Sequence, residues 1–400
     1  MERLECLFCQ KKYPLDVSFP FCPSCHEPLL LSYPAKKRTF FLERNSSLEK
    51  FLDFLPLSKV DLEFSLGEGN TSLIELSRLR KKQNLPPAFA KNETVNPTHS
   101  FKDRGTSVAV QKAISIGFKK IGTVSTGNMA SSTAAYGAKA GLKTYIFLKE
   151  GSSSEKILST GMHDPFLITV KGDYGQLFYD SFSIGKKCHI YFMNSVDPLR
   201  TEGYKVTGFE IFLQLESRVP QFIFVPVSSG GHLIGLMRAF LDLKEEGFIQ
   251  HIPTFVGVQA QGCSPIARAF SSGKSKFTRI KKAETVAHAI SNPAPPGGNI
   301  VLKLIRENKG IILAVSDREI LEAQKELAEL EGVFCDPATA TTLAGLRKLS
   351  KKMRFRIQDK IVLVITGSGL KEMNVLKSHK INVQRTSLPN LEKTISKLLH

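Results

Sequence analysis

No stretch of this 400-residue chain reaches the roughly 18 consecutive apolar residues that a bilayer span requires. The opening MERLECLFCQ carries no apolar leader, so a cytoplasmic protein is expected. Internal repeats and low-complexity tracts are missing. So is the phosphate-loop pattern G-x-x-x-x-G-K-[ST]. GEGNTS (Gly67 to Ser72) starts like a dinucleotide fingerprint but has serine where the last glycine belongs. There is no H-E-x-x-H, and the nine histidines are dispersed. Acidic residues are short in number, 37 against 55 lysines and arginines, for a net charge of +18. Much of that excess falls after Arg347, where only Asp359, Glu372 and Glu392 oppose it. Few aromatics interleave with these charges. The stretch therefore reads as a solvated basic face, not as a nucleic-acid reader, and it would draw in anionic substrates.

The seven cysteines are an odd count, and a cytosol is reducing, which favours metal over disulfides for any paired thiols. Four of them form two Cys-x-x-Cys knuckles, Cys6 with Cys9 and Cys22 with Cys25, twelve residues apart. Four thiolates suit a closed tetrahedral zinc site. Such a site leaves no position for substrate, so the metal would be structural. The functional alternative is a nucleic-acid-binding ribbon. A linker with Pro34, Lys36, Lys37 and Arg38 follows.

Beyond the linker, short apolar runs alternate with helical patterns. KTYIFL, PFLITV, HIYFMN, QFIFVPV, TFVGVQA, GIILAVSD and KIVLVITG read as buried strands, and TVSTG as a strand end. MASSTAAYGAKAG, HLIGLMRAFLDLKEEG and REILEAQKELAELEG read as helices between them. The alternation predicts an α/β protein with parallel sheets covered on both faces. The last stretch, from about Ser378, ends in a helix-like NLEKTISKLL with no clear place in a sheet.

In parallel α/β folds, ligands bind at the carboxyl ends of strands. Three loops there have the composition of an anion cradle: STGN (Ser125 to Asn128), SSGGHLIG (Ser228 to Gly235) and TGSG (Thr366 to Gly369). Small hydroxyl residues and glycines let backbone N–H groups approach an anion, and a following helix adds its dipole. A fourth element is NPTHSFKDRG (Asn96 to Gly105), where Lys102 stands between a phenylalanine and an Asp-Arg pair after a proline turn. That framing suits a lysine held for covalent chemistry. Asp103 and Arg104 read as braces for the loop.

LGEGNTSLIEL, KNETVNPTHSFKDRG, STGN, NSVDPLRTEGYK, PVSSGGHLIG, EGVFCDPATATTLAGL and ITGSGLK together resemble threonine synthase, a family of pyridoxal-phosphate-dependent enzymes of fold type II. The likeness runs from about Leu66 to Lys371, and the paired cysteines are similar to the zinc-ribbon start of some members. The resemblance implies a tryptophan synthase β-like fold with two parallel-sheet domains and a small N-terminal zinc ribbon. It divides the chain into a ribbon (1–33), a larger cofactor-binding domain (34–92 and 205–375), a smaller domain with the STGN loop (93–204) and a basic tail (376–400). It implies pyridoxal 5'-phosphate as cofactor, structural zinc, O-phosphohomoserine as substrate and a homodimer.

The resemblance also implies roles. Lys102 would form the Schiff base and move protons at the substrate carbons. Asn128 would meet the cofactor's phenolic oxygen, and Ser228, Ser229, Gly230, Gly231 and His232 would cradle its phosphate. Thr366 would face the pyridine nitrogen. Ser125 and Thr126 would hold the substrate carboxylate. Asn194, Ser195 and Arg200 would bind the substrate's phosphate, with Lys205 adding charge nearby. The implied reaction turns O-phosphohomoserine and water into threonine and phosphate, with phosphate leaving the γ-carbon and water adding at the β-carbon.

Three departures from the family pattern stand out. His99 occupies the glycine position of NPTGSFKDRG and reads as a turn residue. SSGGH replaces GNGGN, which puts substrate choice in question. Gln10 and His26 stand where glycines often follow each Cys-x-x-Cys, which predicts distorted knuckles. Rival readings are a relative acting on another phosphorylated amino acid, such as a cysteate synthase on O-phosphoserine. Others are a threonine dehydratase-like eliminase and a non-catalytic nucleic-acid-binding relative. Cys6, Cys9, Cys22 and Cys25 together predict close to one zinc per chain on metal analysis of the purified protein; a content far below one would overturn the four-thiolate site.

Overall fold

The computed structural model describes residues 2–34, 37–151, 154–379, 381 and 383–398, with the side chains of 154–156 and 174 left aside. Lys36 of the expected linker and the end of the basic tail (380, 382, 399 and 400) lie outside the described residues.

The apolar runs read as strands form two sheets. The larger has six strands in the order Ile311–Val315, Thr254–Ala260, Phe222–Pro226, Ile361–Ile365, Ala88–Asn92 and Leu73–Glu75. The first five are parallel and the last is antiparallel. IVLVI is buried along its whole length because both faces are covered, which is why it lacks alternation. Ile223, Val225, Val362 and Val364 join one core with the helices Pro198–Gln214 and Gly231–Glu245. Phe222, Phe224, Ile361 and Leu363 face the opposite core with the helices Asp317–Glu331 and Pro337–Ser350. Successive side chains of a strand point to opposite faces, so one run serves both cores. The smaller sheet is parallel throughout, in the order Phe166–Val170, Lys143–Lys149, Lys120–Val124 and Tyr191–Phe192. The helix-like end forms an exposed helix, Leu391–Leu398. Among the described residues no helix is long and apolar enough to cross a membrane.

The N-terminal segment is a three-stranded antiparallel sheet, with Arg3–Glu5 between Lys12–Pro14 and Leu30–Ser32. The four cysteine sulfurs lie within 4.8 Å of one another, a cluster that can hold a metal ion. The knuckles are not distorted. Gln10 and His26 adopt the left-handed conformation at φ of 59° and 58°. Their N–H groups donate to the Cys6 and Cys22 carbonyls at 2.8 Å. A side chain there costs about 1–2 kcal/mol relative to glycine, and the closed turn persists despite it. Leu4, Leu29 and Leu31 of the ribbon pack on Ala109, Val110 and Ala113 of the helix that starts at Lys102. Phe21 meets Phe182 edge-on at 5.6 Å, in the helix Tyr174–Cys188 of the smaller sheet.

The helix Lys102–Ser115 crosses the helix Pro198–Gln214 at close range. A Cβ on Gly203 would come within 2.3 Å of the Arg104 carbonyl oxygen, and one on Gly105 within 2.6 Å of the Tyr204 ring. The glycines of FKDRG and RTEGYK therefore permit this contact. Next to it Arg104 is buried in a charge cluster. Its guanidinium donates to Glu93 at 2.8 Å, to both Glu210 oxygens at 2.8 and 2.7 Å, and to the Thr71 hydroxyl at 2.9 Å. Lys91 donates to Glu210, the Thr71 carbonyl and Gln214. Arg104→Met would strand two buried carboxylates with only Lys91 to oppose them. The expected loss is about 3–5 kcal/mol of stability in denaturant unfolding. A loss below about 1 kcal/mol, the scale of a surface pair, would show that the cluster does not hold the helix.

Candidate active site

A cavity of about 1410 Å³ opens where the carboxyl ends of strands from both sheets face each other. Lys102, Ser125, Thr126, Asn128, Ser195, Ser228, Ser229, Gly230, Gly231, His232 and Thr366 line it. Residues scattered over 265 positions of sequence thus share one wall. Asn194 and Arg200 are buried and do not reach the wall.

Lys102 is the first residue of its helix, and the loop before it is fixed from several sides. The Phe101 N–H donates to the Thr366 carbonyl at 3.0 Å, and Ser100 bridges to Gly367. Asp103 accepts from the Thr98 N–H at 2.7 Å and from its hydroxyl at 2.6 Å, closing the PTHS turn. His99 takes the left-handed conformation at φ 61° and its ring contacts the Thr94 carbonyl, as a turn residue does. The Lys102 ammonium lies 4.1 Å from the Phe101 ring centroid. Burial, followed by the nearby Arg200 charge, lowers its pKa to about 7.

The three loops are shaped by strand-to-helix turns. Ser125 donates its N–H to the Phe147 carbonyl at 3.1 Å, its hydroxyl accepts from Gly127, and Asn128 begins the next helix. Gly230 caps the helix Gly231–Glu245 at φ 101°. A Cβ on Gly231 would press to 2.7 Å on the Ser195 carbonyl. Only glycines leave this helix start open, with its N–H groups toward the cavity. Thr366 sits opposite, its hydroxyl 2.8 Å from that of Thr339.

Behind the wall, NSVDPLR folds as a helix start, with Asp197 as cap accepting from the Arg200 N–H and Pro198 in the first turn. Asn194 is fully engaged there. Its oxygen accepts from the Val124 N–H at 2.9 Å and the Thr123 hydroxyl at 3.3 Å, and its amide donates to Ser181 at 2.9 Å. It clasps the strand that ends at Ser125. The Arg200 guanidinium meets only hydroxyls, Thr106 at 2.9 Å and Tyr204 at 3.0 Å. Among the described residues no carboxylate pairs with it. Lys205 differs from the expectation of a free charge near the site: it is buried between Glu202 and Asp242, which neutralise it.

Sequence reasoning overlooked Asp336. It caps the helix Pro337–Ser350, accepting from the Thr339 N–H at 2.7 Å, and it lines the cavity beside Thr366. Burial and then the Glu372 charge push its pKa up to about 7. The signal was the Asp-Pro pair in CDPATAT, a helix-start pattern after a strand. Phe101, the phenylalanine that frames the lysine in sequence, lies against it, and Tyr204, which carried no signal of its own, approaches it from the neighbouring helix.

The model of the family described as pyridoxal-phosphate dependent enzyme matches residues 64–367. A threonine synthase of Methanosarcina acetivorans is 34% identical over 377 residues, 93% of this chain and 93% of that protein. A threonine synthase of Methanocaldococcus jannaschii is 35% identical over 374 residues, 92% of each. The solved structure of processed threonine deaminase isoform 2 from Solanum lycopersicum superposes with a TM-score of 0.66 at 17% identity, covering 87% of this chain and 96% of that one. Maize serine racemase superposes with a TM-score of 0.64 at 18% identity, covering 83% and 93%. At such identities these two likenesses speak to the fold alone.

The position of Arg200 makes a prediction about Lys102. In ligand-free protein, labelling of Lys102 by an amine-directed reagent, followed by peptide mass mapping, should show a midpoint near pH 7. Arg200→Met removes a neighbouring cation and should move that midpoint upward. A midpoint that stays put or falls would disprove the coupling.

Proposed function

The chain belongs to the pyridoxal-phosphate-dependent enzymes of fold type II and, within them, to the threonine synthase family, and from that premise we propose that it converts O-phosphohomoserine and water into threonine and phosphate. The observation that carries the reading is Arg200, a buried guanidinium beside Lys102 whose partners are hydroxyls and not carboxylates. Asp197 shares its field without forming an ion pair with the guanidinium, which leaves the fork that matches phosphate oxygens for an anionic ligand.

The residues present fit the cofactor. Lys102 offers a buried amine of lowered pKa. The loop Ser228–Gly231 offers open helix N–H groups kept clear by two glycines, and Thr366 offers a neutral hydroxyl opposite. Lys102 would hold the cofactor, Asn128 its phenolic oxygen, Ser228 to His232 its phosphate and Thr366 its pyridine nitrogen. When bound, the group supplies an electron sink for charge developing at substrate carbons.

The chain's own residues do the rest. The Lys102 amine, titrating near neutrality, is matched to proton transfer in which the α-carbon and then the β-carbon each give up a proton, and the γ-carbon and finally the α-carbon each regain one. Ser125 and Thr126, at a helix start, receive the substrate carboxylate. Ser195 on the wall and Arg200 one layer behind Tyr204 receive the substrate phosphate, which orients the γ-carbon and stabilises the departing dianion. Asn194 serves them by fixing Val124 and the loop after it; direct contact with substrate would require breaking its three hydrogen bonds. Phe101 and Tyr204 keep water off the lysine. The four cysteines would hold a structural zinc.

Purified protein should show a visible cofactor absorbance band that is lost in Lys102→Ala. It should release threonine and phosphate in equal amounts from O-phosphohomoserine. Arg200→Met should cut kcat/KM by about a hundredfold or more, the scale of a lost charged contact to a leaving phosphate, and leave the band in place. Phosphate without threonine would move the assignment to a relative acting on another phosphorylated amino acid.

A further inference from the structure

His232 is a polar group that the fold leaves unsatisfied at the cavity wall. It is 6% exposed, and neither ring nitrogen has a hydrogen-bond partner. Its ring stacks on Phe101 at 3.8 Å and 15°, and meets Tyr204 edge-on at 5.5 Å. These contacts fix the imidazole plane beside Lys102 and in front of the Tyr204–Arg200 pair. A buried imidazole with both nitrogens idle loses the hydrogen bonds it would make in water, so both nitrogens are open to whatever enters the cavity, water in the free protein and a ligand when one binds. At least one nitrogen of a neutral imidazole donates, and the ring also sits in the first turn of a helix whose dipole favours negative charge.

We propose that His232 meets the phosphate group of a ligand entering the cleft beside Lys102 and takes up a proton as it does so. The charges around the ring set the direction. Lys102 and Arg104 face it from one helix, and Tyr204 with Arg200 and Asp197 behind it from the other. Its own helix contributes Arg238, which is paired with Glu202. Burial first, then Lys102 and Arg104, hold the imidazole neutral and far below its ordinary range. A dianionic phosphate reverses the sign of the local field and raises that pKa. Between the free and bound values, binding takes up one proton, and affinity is highest at low pH and falls as pH rises. An amide in this position would donate equally well at every pH, so the histidine adds pH dependence to phosphate recognition. The inference rests on the phosphate-handling part of the proposed function and not on threonine as the product.

The test is calorimetry of inorganic phosphate binding to the cofactor-loaded protein, in buffers of different ionisation enthalpy. His232→Asn and His232→Gln are the comparisons. The unmodified protein should take up about one more proton than either variant. Its phosphate Kd should rise by up to about tenfold more per pH unit, the limit for one linked proton. Asp197 and Asp336 remain in the variants, so the difference isolates the imidazole. Equal proton counts and equal pH slopes would exclude the substrate's phosphate as the group that protonates the ring. Should the variants fold poorly, imidazole-¹⁵N spectra of the unmodified protein decide: one histidine should pass from neutral to doubly protonated when phosphate is added. The source of the anion is resolved by a second arm, in which cofactor-free protein is loaded with pyridoxal phosphate or with pyridoxal. Proton uptake with the former alone assigns the ring to the cofactor's phosphate. Uptake on adding inorganic phosphate to loaded protein assigns it to the substrate's, and uptake in neither arm refutes the role. Proton-linked phosphate binding without threonine formation would reject the proposed function and leave this role standing.

Discussion

Arg104 is the interaction on which the site depends. An ionised guanidinium out of water is tolerated only when its donors and its charge are both satisfied. Here that condition is met by carboxylates from different parts of the fold: Glu93 just after the strand Ala88–Asn92, and Glu210 on the helix Pro198–Gln214. Thr71, in the loop before the neighbouring strand Leu73–Glu75, completes the set, and Lys91 shares Glu210. Two residues along the chain stands Lys102. The buried pair therefore sets where the lysine helix begins, and it ties that start to the helix carrying Arg200 and Tyr204. Gly105 and Gly203 let the two backbones come close enough for one network to include both.

A contrast runs through the basic side chains around the site. Arg104, Lys91 and Lys205 each face carboxylates. Arg200 faces hydroxyls, Lys102 faces aromatic rings, and His232 faces rings with both nitrogens idle. The first group completes its electrostatics within the protein and holds shape. The second is left incomplete at or just behind the cavity wall, where an anionic ligand would complete it. Arg200 and His232 are buried like the first group, and what sets them apart is the chemistry of the partner. Lys102 pairs this with a pKa near neutrality, because desolvation and Arg200 both act against its charge.

The ribbon is part of this frame. Its leucines lie on the lysine helix, and Phe21 packs on the helix that contributes Phe178 and Tyr179 to the cavity. The Glu27 carboxylate accepts from Asn299 in the larger domain at 2.7 Å. A cluster of thiols at the chain's start is thus mechanically linked to the wall of a site formed by residues hundreds of positions away.

By itself the sequence determined most strands of both sheets and the helices after Ser125, Ser228 and Ser316, since continuous apolar runs and helical periods are local patterns. It also determined the cysteine cluster, through knuckle spacing, and the lysine loop with its glycine-rich companions, through motifs that lie on strand ends. It did not reveal the strand AFAKN, whose lysine speaks against a buried strand until Glu210 is placed beside it, 119 residues away. Nor did it separate Asn194 from Ser195, neighbours in one motif of which one clasps a strand and the other reaches the cavity. Lys205 looked like a free charge for the same reason: its carboxylate partners become visible only when the helices pack. Whether a polar side chain is spent on the fold or left for a ligand depends on which distant groups reach it, and only the tertiary structure decided that.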